Sequence, residues 1–282
     1  MIRALCILAA LSPLTAWAGP STHVATEQKA LRVCSDPNNL PFSNRAGEGF
    51  ENHLAEIIGH ALDEPVEYFW WAQRRGFIRN TLDAGRCDVV MGIPAGSELA
   101  LTTRPYYIST YALVYRKDAG YDIHSLDSPL LHKLKIGLHF IGDDYSNPPP
   151  GIALARRGIV SNIVGYSIYG DYREPNPPAR LIEAVASGDI DVAIAWGPLA
   201  GYFAKRQPVE LKVVPLRTAI SDLTSPLEYS ISLGVRKRDG ALRVKLDNIL
   251  DRKWSEVRDL LNRYDVPLVE GLPPPRQVSL NE

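Results

Sequence analysis

Residues 82–90 read Leu82-Asp83-Ala84-Gly85-Arg86-Cys87-Asp88-Val89-Val90, the order of a helix end, a glycine and an aspartate that opens an apolar strand. Glycine is the usual residue just past the end of a helix. Residues 185–193 repeat this order as Val185-Ala186-Ser187-Gly188-Asp189-Ile190-Asp191-Val192-Ala193. The two segments therefore predict an α/β chain built from two similar units.

The elements upstream of the first segment agree with this interpretation. Residues 31–34 form a short apolar run, and apolar residues recur at helical spacing over 49–62. A strand is predicted at 66–71, a helix at 75–84 and a further strand at 88–93. Strands that alternate with helices in this way indicate a parallel sheet.

Two extended segments, at 111–117 and 228–236, connect the units and predict a two-strand hinge. Apolar residues at helical spacing between 240 and 264 predict C-terminal helices that return to the first unit. The predicted division is lobe 1 at 31–115 plus 228–266, lobe 2 at 116–227, and a loose C-terminal tail at 267–282.

Composition excludes several classes of protein. The chain has 282 residues, of which 45% are hydrophobic and 22% charged, as in ordinary globular domains. The 31 Lys and Arg residues nearly balance the 32 Asp and Glu residues. A chain without a strong positive field is not expected to bind nucleic acid.

The first eighteen residues have the pattern of a secretory signal peptide. Arg3 precedes an apolar stretch, and Ala16-Trp17-Ala18 is a small-residue cleavage site. The alternative is a membrane anchor, but the apolar run is short of the ~20 residues that a span needs, and Pro13 interrupts it. We expect cleavage after Ala18 and a periplasmic monomer without a membrane span.

Export leaves two cysteines in the mature chain, Cys34 and Cys87. An oxidising compartment favours a disulfide between them. Strand geometry argues against it, because parallel adjacent strands would place the two sulfurs near opposite ends, about 10 Å apart. The sequence does not decide whether Cys34 and Cys87 are bridged, and it favours the unbridged form.

Motifs of catalysis and metal binding do not emerge. The segment Gly165-Tyr166-Ser167-Ile168-Tyr169 lacks the last glycine of a nucleophile elbow. His53 and His60 have no obvious third partner for zinc. We therefore predict that the chain is not an enzyme and holds no cofactor.

Several strings resemble the periplasmic solute-binding proteins related to polar amino-acid receptors. They are Leu31-Arg32-Val33, Gly49-Phe50-Glu51, Arg104-Pro105-Tyr106-Tyr107 and Val114-Tyr115-Arg116-Lys117. The resemblance covers nearly the whole mature chain. It implies the type II fold, with two α/β lobes, a two-strand hinge and a ligand cleft between the lobes.

Three longer strings resemble one subgroup of that family. They are Asp36-Pro37-Asn38-Asn39-Leu40-Pro41-Phe42-Ser43, Trp70-Trp71-x-Gln73-Arg74-Arg75-Gly76-Phe77 and Trp196-Gly197-Pro198-Leu199-Ala200-Gly201-Tyr202-Phe203. The subgroup is the MoxJ/XoxJ type, encoded with PQQ-dependent methanol or alcohol dehydrogenases. The resemblance implies an accessory factor that binds the dehydrogenase, with its cytochrome c as a second candidate partner.

The chain departs from amino-acid receptors at two places. The stretch 92–101 lacks the arginine that grips a ligand carboxylate, and Trp196 stands where an aspartate would meet the ligand ammonium. Both charge-assisted contacts are therefore lost. The alternatives are a receptor for another small polar solute, serving an importer, and a protein that binds PQQ through Arg74 or Arg75.

The candidate binding residues lie where strands of the two units end, since ligands of open α/β sheets sit beyond those ends. They are Asp36, Asn38, Asn39, Phe42, Trp70, Trp71, Arg74, Arg75, Pro94, Asp143, Asp144 and Trp196. Simpler roles stay open for several of them. Asp36 and the pair at 143–144 suit turns, and one of Trp70 and Trp71 is expected in the core and the other in the cleft.

Overall fold

A computed structural model describes residues 29–140, 148–167, 174–218 and 225–271. Within these ranges, helices long and apolar enough to cross a membrane are absent. The predicted signal peptide lies outside the described residues, as do Asp143, Asp144 and the end of the predicted tail from residue 272.

The described strands and helices alternate through most of the chain. The strands are β1 (Leu31–Ser35), β2 (Asn38–Asn39), β3 (Ser43–Asn44), β4 (Val66–Trp70), β5 (Val89–Pro94), β6 (Leu101–Thr102), β7 (Tyr107–Arg116), β8 (Ile136–Phe140), β9 (Ile163–Ser167), β10 (Val192–Trp196), β11 (Leu211–Pro215) and β12 (Glu228–Val235). The α-helices are α1 (Phe50–Leu62), α2 (Phe77–Asn80), α3 (Pro149–Arg156), α4 (Arg180–Ser187), α5 (Gly197–Ala204), α6 (Gly240–Arg252) and α7 (Trp254–Arg263).

One continuous sheet carries both predicted units, in the order β4-β1-β5-β12-β7-β10-β8-β9. Strands β4, β1 and β5 are parallel, and so are β10, β8 and β9. Between the two groups, β12 and β7 pair antiparallel and connect them. The two parallel groups confirm the α/β prediction made from the repeated segment.

Strand β7 passes from one parallel group to the other along its length. Tyr107 to Thr110 pair with β12, whereas the following residues pair with β10. Side chains from Ala112 to Tyr115 pack in the hydrophobic clusters of the second group. The strand therefore leaves the first group near residue 110. The two-lobe division, with its boundary at 115, stays a proposal.

The second helix is shorter than the predicted span of 75–84. Helix α2 covers Phe77–Asn80, and hydrogen-bonded turns follow it up to Gly85. These turns bring Leu82 and Cys87 onto a cluster with Phe77 and Cys34. Packing in this small cluster therefore accounts for the early end of the helix.

Cys34 and Cys87 form a disulfide, so the expectation of an unbridged pair is wrong. Their Cα atoms are 5.4 Å apart, a usual separation for bridged cysteines. Cys34 lies beside Val90 in the parallel register, but Cys87 lies outside β5, ahead of a bend at Asp88. Because of that bend, strand rise does not separate the two residues.

The start of the predicted tail is attached to the sheet. The Ser109 hydroxyl donates to the Pro267 carbonyl at 2.6 Å, and the Val269 amide donates to the Ile108 carbonyl at 2.9 Å. Leu268 forms a bridge with Ser109. Residues 267–269 are therefore held along the first part of β7 and are not loose.

Replacing Gly201 by alanine is expected to destabilise the protein by about 2 kcal/mol. Gly201 lies on α5 against the backbone carbonyl of Asp265, and an added Cβ would overlap that oxygen. This clash outweighs the gain in helix propensity of about 1 kcal/mol. Gly240→Ala is the matched control, because open space surrounds its Cβ position. Equal urea midpoints for the two variants would contradict the expectation.

Candidate functional site

A cavity of about 380 Å³ lies where the ends of β5 and β10 approach the β7–β12 pair. We call it the aromatic cavity. Its lining residues are Asn39, Phe42, Glu51, Gln73, Gly92, Ile93, Pro94, Tyr107, Tyr111, Pro149, Trp196, Leu199, Tyr229 and Ile231. The volume falls within the usual range of small-molecule sites.

Three rings from different strands form the wall of the cavity. Tyr111 and Trp196 lie 5.4 Å apart at an interplanar angle of 65°, and Trp196 and Tyr229 lie 5.9 Å apart at 72°. Edge-to-face pairs of this kind are favourable, so each ring helps to fix its neighbour. Burial raises the pKa of Tyr111, and the nearby Tyr229 adds to the effect. The tyrosine therefore stays neutral at physiological pH.

Glu51 is the acidic residue of the described lining, and its side chain is only 8% exposed. It lies in the first turn of α1, directly after Phe50, which is fully buried in the core. Its carboxyl group lies against Gly92, where an added Cβ would overlap it. Burial, and then the negative charge of Asp36, raises the pKa of Glu51 to about 8. The carboxyl group is therefore largely protonated at neutral pH.

Asp36 organises the loop that borders the cavity. Its carboxylate accepts hydrogen bonds from the amides of Asn38 at 2.8 Å and Gln73 at 2.7 Å. The Asn39 side chain then donates to the side-chain oxygen of Gln73 at 3.1 Å. Asp36 thus ties together two loops that follow neighbouring parallel strands, and it does not line the cavity itself.

Asn38 connects the loop after β1 to the second unit. Its side-chain amide donates to the Glu174 carbonyl at 2.8 Å, and its side-chain oxygen accepts from the Asn176 amide at 3.3 Å. Leu40, two residues later, packs in a hydrophobic cluster of the second unit. This side of the cleft is therefore bridged.

The structure brings four predicted residues together in the cavity lining: Asn39, Phe42, Pro94 and Trp196. Asp36 and Asn38 support the loop beside them. Asp143 and Asp144 lie outside the described residues, so their predicted role stays a prediction.

Neither Trp70 nor Trp71 lines the aromatic cavity, and the predicted cleft role of one of them stays a prediction. Trp70 stacks on Tyr68 at 4.7 Å, with Arg45 over its ring. Trp71 stacks on Phe69 at 6.3 Å and is 44% exposed. Both rings turn toward side chains of β4 and its surroundings. The sequence placed them at a strand end but did not specify the direction of either side chain.

Arg74 and Arg75 also lie outside the lining of the cavity. Both side chains are exposed in the turn before α2, where the Arg74 carbonyl accepts a hydrogen bond from the Phe77 amide. Their predicted role in the cleft or in a contact with a partner protein therefore stays a prediction.

Sequence reasoning missed ten residues of the described lining, five of which are polar or aromatic: Glu51, Gln73, Tyr107, Tyr111 and Tyr229. Glu51 and Gln73 both lie in strings that carry the family resemblance. Glu51 ends the string Gly49-Phe50-Glu51, and Gln73 lies in the string that begins at Trp70. The tyrosines come from the two crossing strands. The signal that could have found them is their position where those strands pass the ends of β5 and β10.

A larger cavity of about 770 Å³ lies elsewhere, at the opposite end of β1. One of the acidic residues that line it, Asp88, accepts hydrogen bonds from Arg32 and from Arg236, both at 2.7 Å. Burial would raise the pKa of Asp88, but these two guanidinium groups hold it below its usual value. These ion pairs give the groove a structural role. In the part of the chain that the structure describes, groups of three or more potential metal ligands are absent.

No family model matches the chain. The chain is 27% identical over 281 residues to protein MoxJ of Methylorubrum extorquens, covering 95% of this chain and 91% of that protein.

Two solved structures are similar over most of the chain. The crystal structure of periplasmic binding protein XoxJ from Methylobacterium extorquens AM1 is 35% identical with a TM-score of 0.70, covering 86% of this chain and 100% of that one. The crystal structure of MxaJ from Methlophaga aminisulfidivorans MPT is 27% identical with a TM-score of 0.75, covering 85% and 100%. These likenesses confirm the type II binding-protein fold. The chain belongs to the MoxJ/XoxJ family of periplasmic binding-protein-like proteins.

Proposed function

We propose that the mature chain, after cleavage behind Ala18, is a periplasmic accessory factor of a PQQ-dependent methanol or alcohol dehydrogenase. It binds the dehydrogenase, or a segment of it, through the aromatic cavity or its rim and aids maturation or activation. The cytochrome c of the same system is a second candidate partner.

The observation that carries this proposal is the chemistry of the cavity. Within the described residues, its lining holds one buried acid and no lysine, arginine or histidine. A free amino acid needs a cationic partner for its carboxylate, and charge-assisted contacts of that kind are the strong ones. A cavity without such a partner is poorly suited to amino-acid uptake, which favours a role other than amino-acid transport.

Aromatic rings also suit a protein interface. Tyrosine, tryptophan and phenylalanine are enriched at the centres of interfaces, and Trp196, Tyr111 and Tyr229 are all partly or well buried in the cleft. Trp71 adds an exposed ring on the loop that Asp36 holds in place. The rings in the cleft are placed to hold a bound segment of the partner, and the exposed Trp71 ring is placed to contact its edge.

We expect the mature chain to retain a quinoprotein dehydrogenase from periplasmic extract of its own organism. Trp196→Ala should reduce recovery about tenfold or more, since truncation of a central tryptophan removes a contact of hot-spot strength. Trp254→Ala is the matched control, because Trp254 packs under Arg104 on α7, away from the cavity. Immunoblot and PQQ absorbance quantify the captured enzyme. Recovery of no quinoprotein at low salt would count against the proposal.

The alternative is a receptor that delivers a small polar solute to an importer. The cavity volume is consistent with such a ligand. A solute that raises the melting temperature in a dose-dependent way would favour the receptor, since a ligand of the folded state stabilises it. The idea of PQQ binding through Arg74 or Arg75 gains no support from the cavity, because neither residue lines it.

A further inference from the structure

The aromatic cavity has an unusual balance of charge. Five aromatic side chains and one carboxyl group line it, and the described lining has no basic side chain. The segment 141–147, outside the described residues, also contains no lysine, arginine or histidine in its sequence. No cation of the described lining therefore compensates the carboxyl group.

Glu51 is only 8% exposed, and the hydrogen bonds among the described residues do not include its carboxyl group. The neighbouring Asn52 side chain instead accepts from the amides of Asn44 and Gly49, both at 3.1 Å. An ionised carboxyl group in so buried a place is costly without a polar partner. Because Glu51 lines the cavity, a ligand bound there can supply that partner.

Rings at steep mutual angles suit a positive charge that carries alkyl groups. The faces of Tyr111, Trp196 and Tyr229 meet at 65° and 72°, so they form a corner. A cation within about 6 Å of such faces is attracted by the ring quadrupoles, most strongly when water is excluded. Alkyl substituents at the same time bury apolar surface against the rings.

We propose that the aromatic cavity binds a small alkylated ammonium ion, whose charge is met by the Glu51 carboxylate and whose alkyl groups pack against Tyr111, Trp196 and Tyr229. A ligand carboxylate is disfavoured because the described lining offers no base to receive it. The same cavity carries the dehydrogenase proposal, but the two are tested separately: choline binding does not require the dehydrogenase, and capture of the dehydrogenase does not require choline.

Binding of the cation should be coupled to the release of a proton. Glu51 is raised in pKa by burial and by Asp36, so the free protein holds the proton near neutral pH. The other titratable groups that interact with it are Tyr68, Tyr106 and Tyr107, which all have raised pKa values and stay neutral. An ammonium ion needs the ionised carboxylate, so its affinity should rise about tenfold per pH unit below pH 8.

Isothermal titration of the mature protein tests the site, with choline as the cation and 3,3-dimethylbutan-1-ol as its uncharged analogue of the same shape. We expect choline to bind at least about tenfold more tightly than the alcohol at pH 8. Glu51→Gln should bring choline to the affinity of the alcohol. Measured in buffers of different ionisation enthalpy, binding at pH 7 should release close to one proton.

Tyr229→Leu gives a second test if Glu51→Gln does not fold. It removes one ring of the corner and keeps the carboxyl group, so choline should weaken about tenfold while the alcohol changes less than about threefold. Equal affinity of choline and the alcohol, or no saturable binding of choline up to ~10 mM, would overturn the proposal. So would unchanged choline affinity in a folded Glu51→Gln variant.

Discussion

Removing the Cys34–Cys87 disulfide is expected to lower the free energy of unfolding by about 4 kcal/mol. The two cysteines are 53 residues apart in sequence, and the bridge closes that loop in the unfolded chain. Both lie in a cluster with Phe77 and Leu82, where each is at most 2% exposed. The variant Cys34→Ala/Cys87→Ala therefore loses the constraint on the unfolded chain and some apolar packing.

Urea unfolding of the oxidised protein, the reduced protein and the double alanine variant measures this effect. Reduction should lower the midpoint of the wild type toward that of the variant, and reductant should not change the variant. A wild-type midpoint that is the same with and without reductant would show that the bridge is absent in solution or contributes nothing.

The second large effect concerns Glu51 and pH. Its pKa in the folded protein is about 8, against an ordinary value of 4.5. The folded state therefore holds a proton that the unfolded state has lost over this interval. The stability that Glu51 contributes is fully present below pH 4.5, and it declines by about 1.4 kcal/mol per pH unit until about pH 8. Over the whole interval the stability falls by about 5 kcal/mol.

Glu51→Gln should remove this loss because glutamine cannot ionise. The difference in unfolding free energy between variant and wild type should grow from pH 5 to pH 8 in favour of the variant. Burial lowers the pKa of His139 to about 4, so His139 makes the unfolding free energy rise with pH between about pH 4 and 6.5. This contribution is the same in the wild type and the variant, and it cancels when their unfolding free energies are subtracted. Glu56→Gln, at an exposed position on the same helix, is the control and should keep the wild-type profile. A pH-independent difference would contradict the expectation.

Much of the fold follows from local pattern. The spacing of Phe50, Leu54 and Ile58 predicts α1, and the structure buries this face in the first core cluster. The glycine–aspartate segments at 85–88 and 188–191 precede β5 and β10, each the strand of its parallel group that lies next to the crossing pair β12 and β7. Helical spacing and strand openings are properties of neighbouring residues, so one sequence is enough to predict them.

The disulfide and the directions of the tryptophans depended on geometry that local pattern does not contain. Pairing register alone places Cys87 too far from Cys34, and only the bend at Asp88 brings them together. The rings of Trp70 and Trp71 follow tertiary contacts with Tyr68 and Phe69. These contacts depend on backbone direction after the strand ends, which periodicity does not specify.

The candidate site was only partly predicted, again because part of it depends on contacts between elements that are distant in sequence. Positions at strand ends led to Asn39, Phe42, Pro94 and Trp196, which line the cavity. Glu51 was not predicted to line the cavity, because it lies in the first turn of an amphipathic helix, where an acidic residue is common and usually exposed. Its burial results from the close approach of α1 to Gly92 on β5, a contact between elements that are distant in sequence.

The protonation of Glu51 is the most direct test, because both the unsuitability of the cavity for amino acids and its selectivity for cations depend on an uncompensated carboxyl group. Carbon-detected NMR of protein labelled at the glutamate carboxyl carbons, with Glu51→Gln used to assign the resonance, gives its titration curve. A midpoint near pH 8 in the absence of ligand is the expected result. A midpoint at or below pH 4.5 would mean that a cation or open water already stabilises the carboxylate, and would contradict the account.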